Sequence, residues 1–297
     1  MSQQQTEQVI QQRGNTAPVG VFDSGVGGLT VLNELLRELP GERFVYYGDT
    51  GNCPYGVRPQ EEIQALAANA ARLLLNHGAK LIVVACNAAS VSARETLRRE
   101  FKPIKFVVVV PAVKPAAKRT RVGKIGVATT EASAHSDYLR QLIEQHASGV
   151  EVLAVGCPRL VTLAEAGQLE GLEVEAAIRG YIQPMLDAGI DQLVLGCTHF
   201  PAMRAAFERV AGPKVAIIDS GAAIARRARY LLTTLGLLAE PDGGPAEAPR
   251  APSEQDEFWC SGEVESFARV ASMILRAPVQ ARQAPGMLVA PGEFARI

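Results

Sequence analysis

Cys86 and Cys197 are the residues of this sequence best suited to chemistry. Cys86 ends the apolar run Leu81-Ile82-Val83-Val84-Ala85 and is followed by Asn87-Ala88-Ala89-Ser90. Cys197 ends Leu193-Val194-Leu195-Gly196 and is followed by Thr198-His199-Phe200-Pro201. In both, a short β-rich stretch delivers a thiol to a turn, and a helical pattern comes next. An α/β sheet carries its reactive groups at that point, the carboxyl end of a strand. A helix N-terminus is expected to lower a thiol pKa from about 8.5, making a thiolate available at neutral pH as base or nucleophile. The competing reading is a pair of buried structural thiols, since free cysteine is among the most buried residue types.

His199 lies two residues past Cys197, so a hydrolase built on a Cys–His pair is conceivable, but it leaves Cys86 without a role. Inversion of a stereocentre uses both thiols. One base removes the Cα proton from one face, and a conjugate acid supplies a proton to the other. Two opposed thiols, one ionised and one not, do this with no cofactor, and their protonation states are swapped after turnover. Asp23, Glu165 and His199 are the candidates to tune or relay those protons. Asp23 begins a strand–glycine turn–helix segment, Val21-Phe22-Asp23-Ser24-Gly25-Val26-Gly27-Gly28-Leu29. Its N–H groups suit a carboxylate or phosphate, and Asp23 could hold an ammonium or move a proton. A plain βα turn capped by Asp reads the same way. The segment lacks the GxGxxG order and a GK[ST] ending, so dinucleotide and P-loop readings fail. In Pro54-Tyr55-Gly56, after Tyr47-Gly48-Asp49-Thr50, Tyr55 and the N–H of Gly56 could meet a carboxylate, although turn packing alone also accounts for them.

Positioning these groups takes alternating strands and helices. Apolar, Val/Ile-rich runs at Val19–Phe22, Phe44–Tyr47, Leu81–Ala85, Phe106–Val110, Ile125–Ala128, Val150–Val155, Leu193–Leu195 and Val215–Ile218 read as strands covered on both faces. Helical patterns lie at Leu29–Leu39, Gln60–His77, Tyr138–His146, Leu172–Ala188 and Glu263–Leu275. The alternation predicts an α/β fold with mostly parallel sheet, either one barrel or two smaller sheets. Met1–Ala17 is glutamine-rich and polar and reads as a disordered tail. Glu240–Asp256, with four prolines and Gly243-Gly244, reads as a flexible loop. Phe22-Asp23-Ser24-Gly25 is echoed by Ile218-Asp219-Ser220-Gly221, which fits two related halves.

The 297 residues carry 30 Lys+Arg against 31 Asp+Glu, a balance that gives no case for nucleic acid or membrane binding. Five cysteines, odd in number and widely spaced, do not form a disulfide framework. Without CxxC or HExxH spacing, no metal site is expected. The N-terminus has no signal-peptide core, and a reducing cytoplasm is the expected setting.

The chain resembles the glutamate racemases, cofactor-independent enzymes that make D-glutamate for bacterial peptidoglycan. The resemblance rests on Phe22–Leu29, Tyr47–Thr50, Pro54–Gly56, Ala85–Asn87, Leu195–Pro201 and Ile218–Gly221, and covers about residues 18 to 232. It implies two pseudo-symmetric α/β subdomains with the active site between them: 18–112 plus 220–297 (with 240–256 a flexible loop), and 113–219. It also implies that Cys86 is the base for D-glutamate and Cys197 the base for L-glutamate, assisted by Asp23 and His199, with Glu165 nearby. Asp23, Ser24, Asn87 and Thr198 would hold the α-amino and α-carboxylate groups, and Tyr55, Gly56, Thr130 and Ser133 the side-chain carboxylate. The assembly implied is a homodimer. Three positions depart from the family pattern. Ala88 replaces the usual threonine, which predicts weaker substrate binding through the remaining Ala88 N–H, by about 1–3 kcal/mol for one lost hydrogen bond to a charge. Ser133 stands where the second threonine of Gly-Thr-x-x-Thr is usual, and keeps the hydroxyl. Cys157–Glu165 keeps the Cys-Pro and the Glu but alters residues between. Aspartate or hydantoin racemases are the rivals within the superfamily, and a non-catalytic binding protein is the rival outside it. The Asp23–Gly28 turn argues against the former, and retention of both thiols against the latter.

Overall fold

The computed structural model describes residues 14–240 and 250–285. The chain divides into two compact units, Met1–Val109 with Gly221–Ile297, and Val110–Ser220. The second is slightly longer at both ends than the expected 113–219. In chain order the strands are β1 (Val19–Asp23), β2 (Phe44–Gly48), β3 (Leu81–Val84), β4 (Phe106–Val108), β5 (Lys124–Thr129), β6 (Glu151–Gly156), β7 (Gln192–Leu195), β8 (Ala216–Ile218), β9 (Glu257–Cys260) and β10 (Ala281–Gln283). The first unit holds a six-stranded sheet in the order β10-β9-β2-β1-β3-β4, the second a four-stranded sheet in the order β6-β5-β7-β8. Among the described residues every strand pairing is parallel. Two separate sheets, not one barrel, are therefore what the βα alternation builds.

The apolar runs lack alternation because both sheet faces of the first unit are covered. Successive side chains of a strand point to opposite faces. Val19, Val21, Phe44, Tyr46, Leu81 and Val83 accordingly join one core layer, with the helices Leu29–Glu38, Gly221–Thr234 and Val264–Leu275. Phe22, Val45, Tyr47, Ile82 and Val84 join the other, under the helices Gln60–Asn76 and Arg94–Glu100. Each fully buried aliphatic chain of this kind contributes about 1.5–3 kcal/mol. In the second unit, Ile125, Val127 and Val194 pack with Val113, Ala116 and Leu139.

Some expectations need correction. β9 and β10 are additional to the eight runs read as strands. β6 is a partly exposed edge strand, with Glu151 and Ala154 open to solvent, so it is not covered on both faces. Met1–Arg13 of the expected tail lie outside the described residues, but Gly14–Thr16 form a 3-10 turn and Ala17 is buried. Of the expected loop, 241–249 lie outside the described residues, whereas Arg250–Asp256 is held by the paired side chains of its own ends. Both borders of that undescribed segment are tied to one residue. Glu42 accepts from the Ala239 N–H through Oε1 at 2.9 Å, and its carbonyl accepts from Arg250 Nη2 at 2.6 Å. Glu42 also pairs with Lys80 at 2.7 Å, both side chains being shut off from water. Burial pushes the Glu42 carboxyl up and the Lys80 ammonium down, and their mutual attraction offsets part of each shift. No helix among the described residues is long and apolar enough to cross a membrane.

Candidate active site

In the first unit the sheet order β9-β2-β1-β3 sets Ser261, Asp49, Asp23 and Cys86 side by side at the carboxyl edge. Parallel strands share one direction, so their C-terminal turns gather on one edge. Asp23 ends β1 and is fully buried. Its Oδ1 accepts the Gly25 N–H at 2.8 Å and lies 3.4 Å from Ser24 Oγ. Tyr46 braces the same turn by donating to the Gly25 carbonyl at 2.7 Å. Gly28 is required here, since a Cβ on it would stand 2.5 Å from Asp23 Cβ and 2.8 Å from the Tyr46 hydroxyl.

Cys86 caps the short helix Asn87–Ser92, accepting the Ala89 N–H at 3.5 Å, with Ser24 Oγ at 3.6 Å. The helix cap expected from the sequence is present, but the lowered thiol pKa is not. Burial, and then the negative charge of Asp23, push the Cys86 thiol up to about 12, outweighing the hydrogen bonds from Ala89 and Ser24. At neutral pH Cys86 is a thiol, a stored proton beside a carboxylate.

In the second unit, Cys197 follows β7. The Thr129 hydroxyl at the end of β5 donates to the Gly196 carbonyl at 2.8 Å and fixes the approach. The turn after Cys197 leads into a 3-10 helix, Phe200–Met203, and only then into the helix Arg204–Ala211, so Cys197 does not cap an α-helix as expected. Its partner is instead an imidazole: Sγ lies 3.5 Å from His199 Nδ1. His199 Nε2 is 2.5 Å from Glu165 Oε1, at the last turn of the helix Pro158–Glu165. His199 is buried and Glu165 partly so. A thiol, an imidazole and a carboxylate thus form a chain along which the thiol proton can pass to nitrogen while the carboxylate balances the charge.

The remaining sequence-selected residues fall in these two neighbourhoods. Ser24, Asn87 and Ala88 are buried in the first unit, and Thr198 is buried beside Cys197. Thr130 donates to Ser133 Oγ at 2.9 Å and caps the turn that follows β5. Tyr55 is buried, and its hydroxyl donates to Asp49 Oδ2 at 2.5 Å. Burial and the Asp49 charge push the Tyr55 phenol well above its ordinary value, so it stays protonated. Sequence reasoning missed the hub around Asp49, whose Oδ1 accepts from Tyr47 at 2.8 Å, Asn52 at 3.0 Å and Ser261 at 2.6 Å. It also gave no role to Cys157, a buried thiol after β6 raised by burial and by its nearness to Cys197. The echoed Asp219-Ser220 makes different bonds from Asp23-Ser24: Asp219 pairs with Arg204, and Ser220 donates to the Val110 carbonyl at 2.5 Å.

Residues 22–228 match the family described as Asp/Glu/Hydantoin racemase. The chain belongs to that racemase family. It is 44% identical over 253 residues to a glutamate racemase of Herpetosiphon aurantiacus, covering 85% of this chain and 96% of that one. The crystal structure of a glutamate racemase from Francisella tularensis in complex with D-glutamate superimposes with a TM-score of 0.76 at 28% identity, over 91% of this chain and 98% of that one. The Escherichia coli glutamate racemase, in complex with L-glutamate and the activator UDP-MurNAc-ala, gives 0.76 at 30% identity, over 90% and 97%. As a member of a racemase family the chain is an isomerase. Its two-sheet α/β architecture is that of glutamate racemase structures. Against the racemase pattern, Ala88 leaves only its N–H at the second position of the Cys86 helix, and Ser133 keeps a buried hydroxyl bonded to Thr130.

Proposed function

We propose that this chain interconverts L- and D-glutamate by two-thiol proton transfer at Cα, without a cofactor, and supplies D-glutamate to peptidoglycan synthesis in the cytoplasm. The observation that carries the reading is the pair of buried thiols, each with its own proton partner, in a chain whose relatives are glutamate racemases. Structures of two such relatives hold D-glutamate and L-glutamate.

The Cα proton is far less acidic than a thiol, so a strong base and a ready acid are both needed. In the L-to-D direction, Cys197 removes the proton with His199 and Glu165 holding its own proton away. Cys86, a thiol at neutral pH, donates to the opposite face. In the D-to-L direction, Cys86 must become the base. The α-ammonium held by Asp23 offsets that carboxylate's share of the shift, which is second to burial, and so favours the Cys86 thiolate when substrate binds. A thiolate whose pKa burial has raised is also the stronger base once formed. Ser24, Asn87, the Ala88 N–H and Thr198 hold the α-carboxylate and ammonium. Gly56, Tyr55, Thr130 and Ser133 meet the side-chain carboxylate and set the preference for glutamate over the shorter aspartate. The working assembly is a homodimer.

The test is a racemisation assay in heavy water with L- and D-glutamate, both aspartates and a hydantoin as separate substrates. Glutamate should invert with solvent deuterium entering at Cα, after dialysis against chelator and with no pyridoxal phosphate added. Preference for aspartate or hydantoin would move the substrate, and inversion without deuterium uptake would sink the proton-transfer mechanism.

A further inference from the structure

We infer that Ser261, on the segment after β9, is a positioning residue that holds the substrate-facing Tyr55 turn through the carboxylate of Asp49. The inference rests on the glutamate racemase reading and names a part of the chain outside the matched stretch 22–228. Ser261 is buried and uses its hydroxyl in both senses. It donates to Asp49 Oδ1 at 2.6 Å and accepts the Gly51 N–H at 2.9 Å. With Tyr47 and Asn52 also on Oδ1, the carboxylate cannot turn, and Oδ2 is left directed at the Tyr55 hydroxyl 2.5 Å away. The Tyr55–Val57 turn packs against the helix Asn87–Ser92, which Cys86 caps. A chain of short contacts therefore runs from Ser261 through Asp49 and Tyr55 to the helix of a catalytic thiol.

The segment carrying Ser261 is itself fixed. The Gly262 N–H donates to Thr50 Oγ1 at 3.0 Å, and a Cβ on Gly262 would stand 2.6 Å from that oxygen. Gln283 of β10 donates to the Ser261 carbonyl at 2.9 Å. Removing the Ser261 hydroxyl leaves the Gly51 N–H without its acceptor and takes from Asp49 Oδ1 the shortest of its three hydrogen bonds, loosening the carboxylate that holds Tyr55. The Tyr55 turn then loses its register on the Cys86 helix, while neither thiol is touched. The expected loss is in substrate binding, equal in ground and transition states, and so falls on KM.

Ser261→Ala should raise KM for both enantiomers about tenfold, the size of one lost hydrogen bond to a charge, with kcat held within about twofold. Ser261→Thr should restore KM. Tyr55→Phe should give a similar rise, and the double variant Ser261→Ala/Tyr55→Phe should be no worse than either alone, because both act through Asp49. Unchanged KM in Ser261→Ala, no rescue by threonine, or additive effects in the double variant would each overturn the inference while wild type racemises glutamate normally. Wild type that fails to racemise glutamate removes the racemase reading and this inference with it. Should Ser261→Ala not fold, Ser261→Cys replaces it, a weak donor of similar size; KM should then rise about threefold, and an unchanged KM is the overturning result.

Discussion

Cys86 and Cys197 stand in matched places, each just beyond a central parallel strand, yet their surroundings handle a proton in opposite ways. Cys86 is sealed beside the Asp23 carboxylate, and burial, then that negative charge, push the thiol up to about 12. Cys197 faces His199 Nδ1 at 3.5 Å, a group that can accept its proton, with Glu165 behind. The same thiol is thus prepared as an acid in one unit and given a route to ionise in the other. An inverting enzyme needs that division at the start of each turnover, and it needs the division to reverse at the end. On the proposed mechanism the reversal is asymmetric: on the Cys197 side it would use the resident imidazole, on the Cys86 side the charge of the arriving ammonium.

The largest effect should come from erasing the comparison altogether. Cys86→Ala and Cys197→Ala should each lower racemisation about ten-thousandfold or more, measured by polarimetry. Full activity in either variant excludes the two-thiol mechanism. Next, Asp23→Asn and His199→Asn separate the two sides, each lowering kcat by about a hundredfold, as expected for lost acid–base assistance. Because the two enantiomers are equally stable, kcat/KM must stay equal in both directions for every variant. The asymmetry is therefore read from primary deuterium isotope effects. Asp23→Asn should enlarge the effect with 2-deuterated D-glutamate, and His199→Asn that with the L form. Identical isotope patterns would show that the two carriers do not serve separate thiols.

A smaller effect tests the resting protonation. In Cys197→Ser, alkylation of Cys86 followed by peptide mapping should be slow at pH 7 and climb with each pH unit to 10, still below its pKa of about 12. Asp23→Asn removes the neighbouring negative charge, lowers that pKa, and should speed alkylation about tenfold at a given pH. No change would leave burial alone as the cause. The smallest expected effect is a gain. Ala88→Thr returns a hydroxyl to the Cys86 helix and should lower KM for glutamate about threefold, as a new hydrogen bond to a charge in a buried position allows. A raised KM would show that the pocket has closed around alanine.

Much of this frame was legible in the sequence, for definite reasons. The interior strands announce themselves because both faces are buried, as at Leu81–Val84. β10 does not, because Ala281-Arg282-Gln283 is an edge strand with little to bury. The helix after Cys86 was readable as a cap, but its electrostatic consequence was not. Burial of the thiol, together with the charge of Asp23, which is far away in sequence, outweighs what the helix end supplies. Glu165 was only weakly indicated in the sequence, since a glutamate on a helix is ordinarily solvated; its ion pair with His199 depends on the fold. The Asp49–Ser261 bond joins positions 212 residues apart and left no local pattern to read.

The knot at Glu42 bears on how the chain can be handled. The backbone leaves at Ala239 and returns at Arg250, and both points are fastened to this one residue, which is itself clamped by Lys80 inside the first unit. Cleaving the polypeptide between 241 and 249 would therefore leave Ala239 on one piece and Arg250 on the other, and both residues bond to Glu42. β9 would stay paired with β2, and the helix Val264–Leu275 with the core layer it shares with Leu29–Glu38. The chain is on this ground expected to tolerate division at this place into two pieces, both held to Glu42 beside its buried ion pair with Lys80.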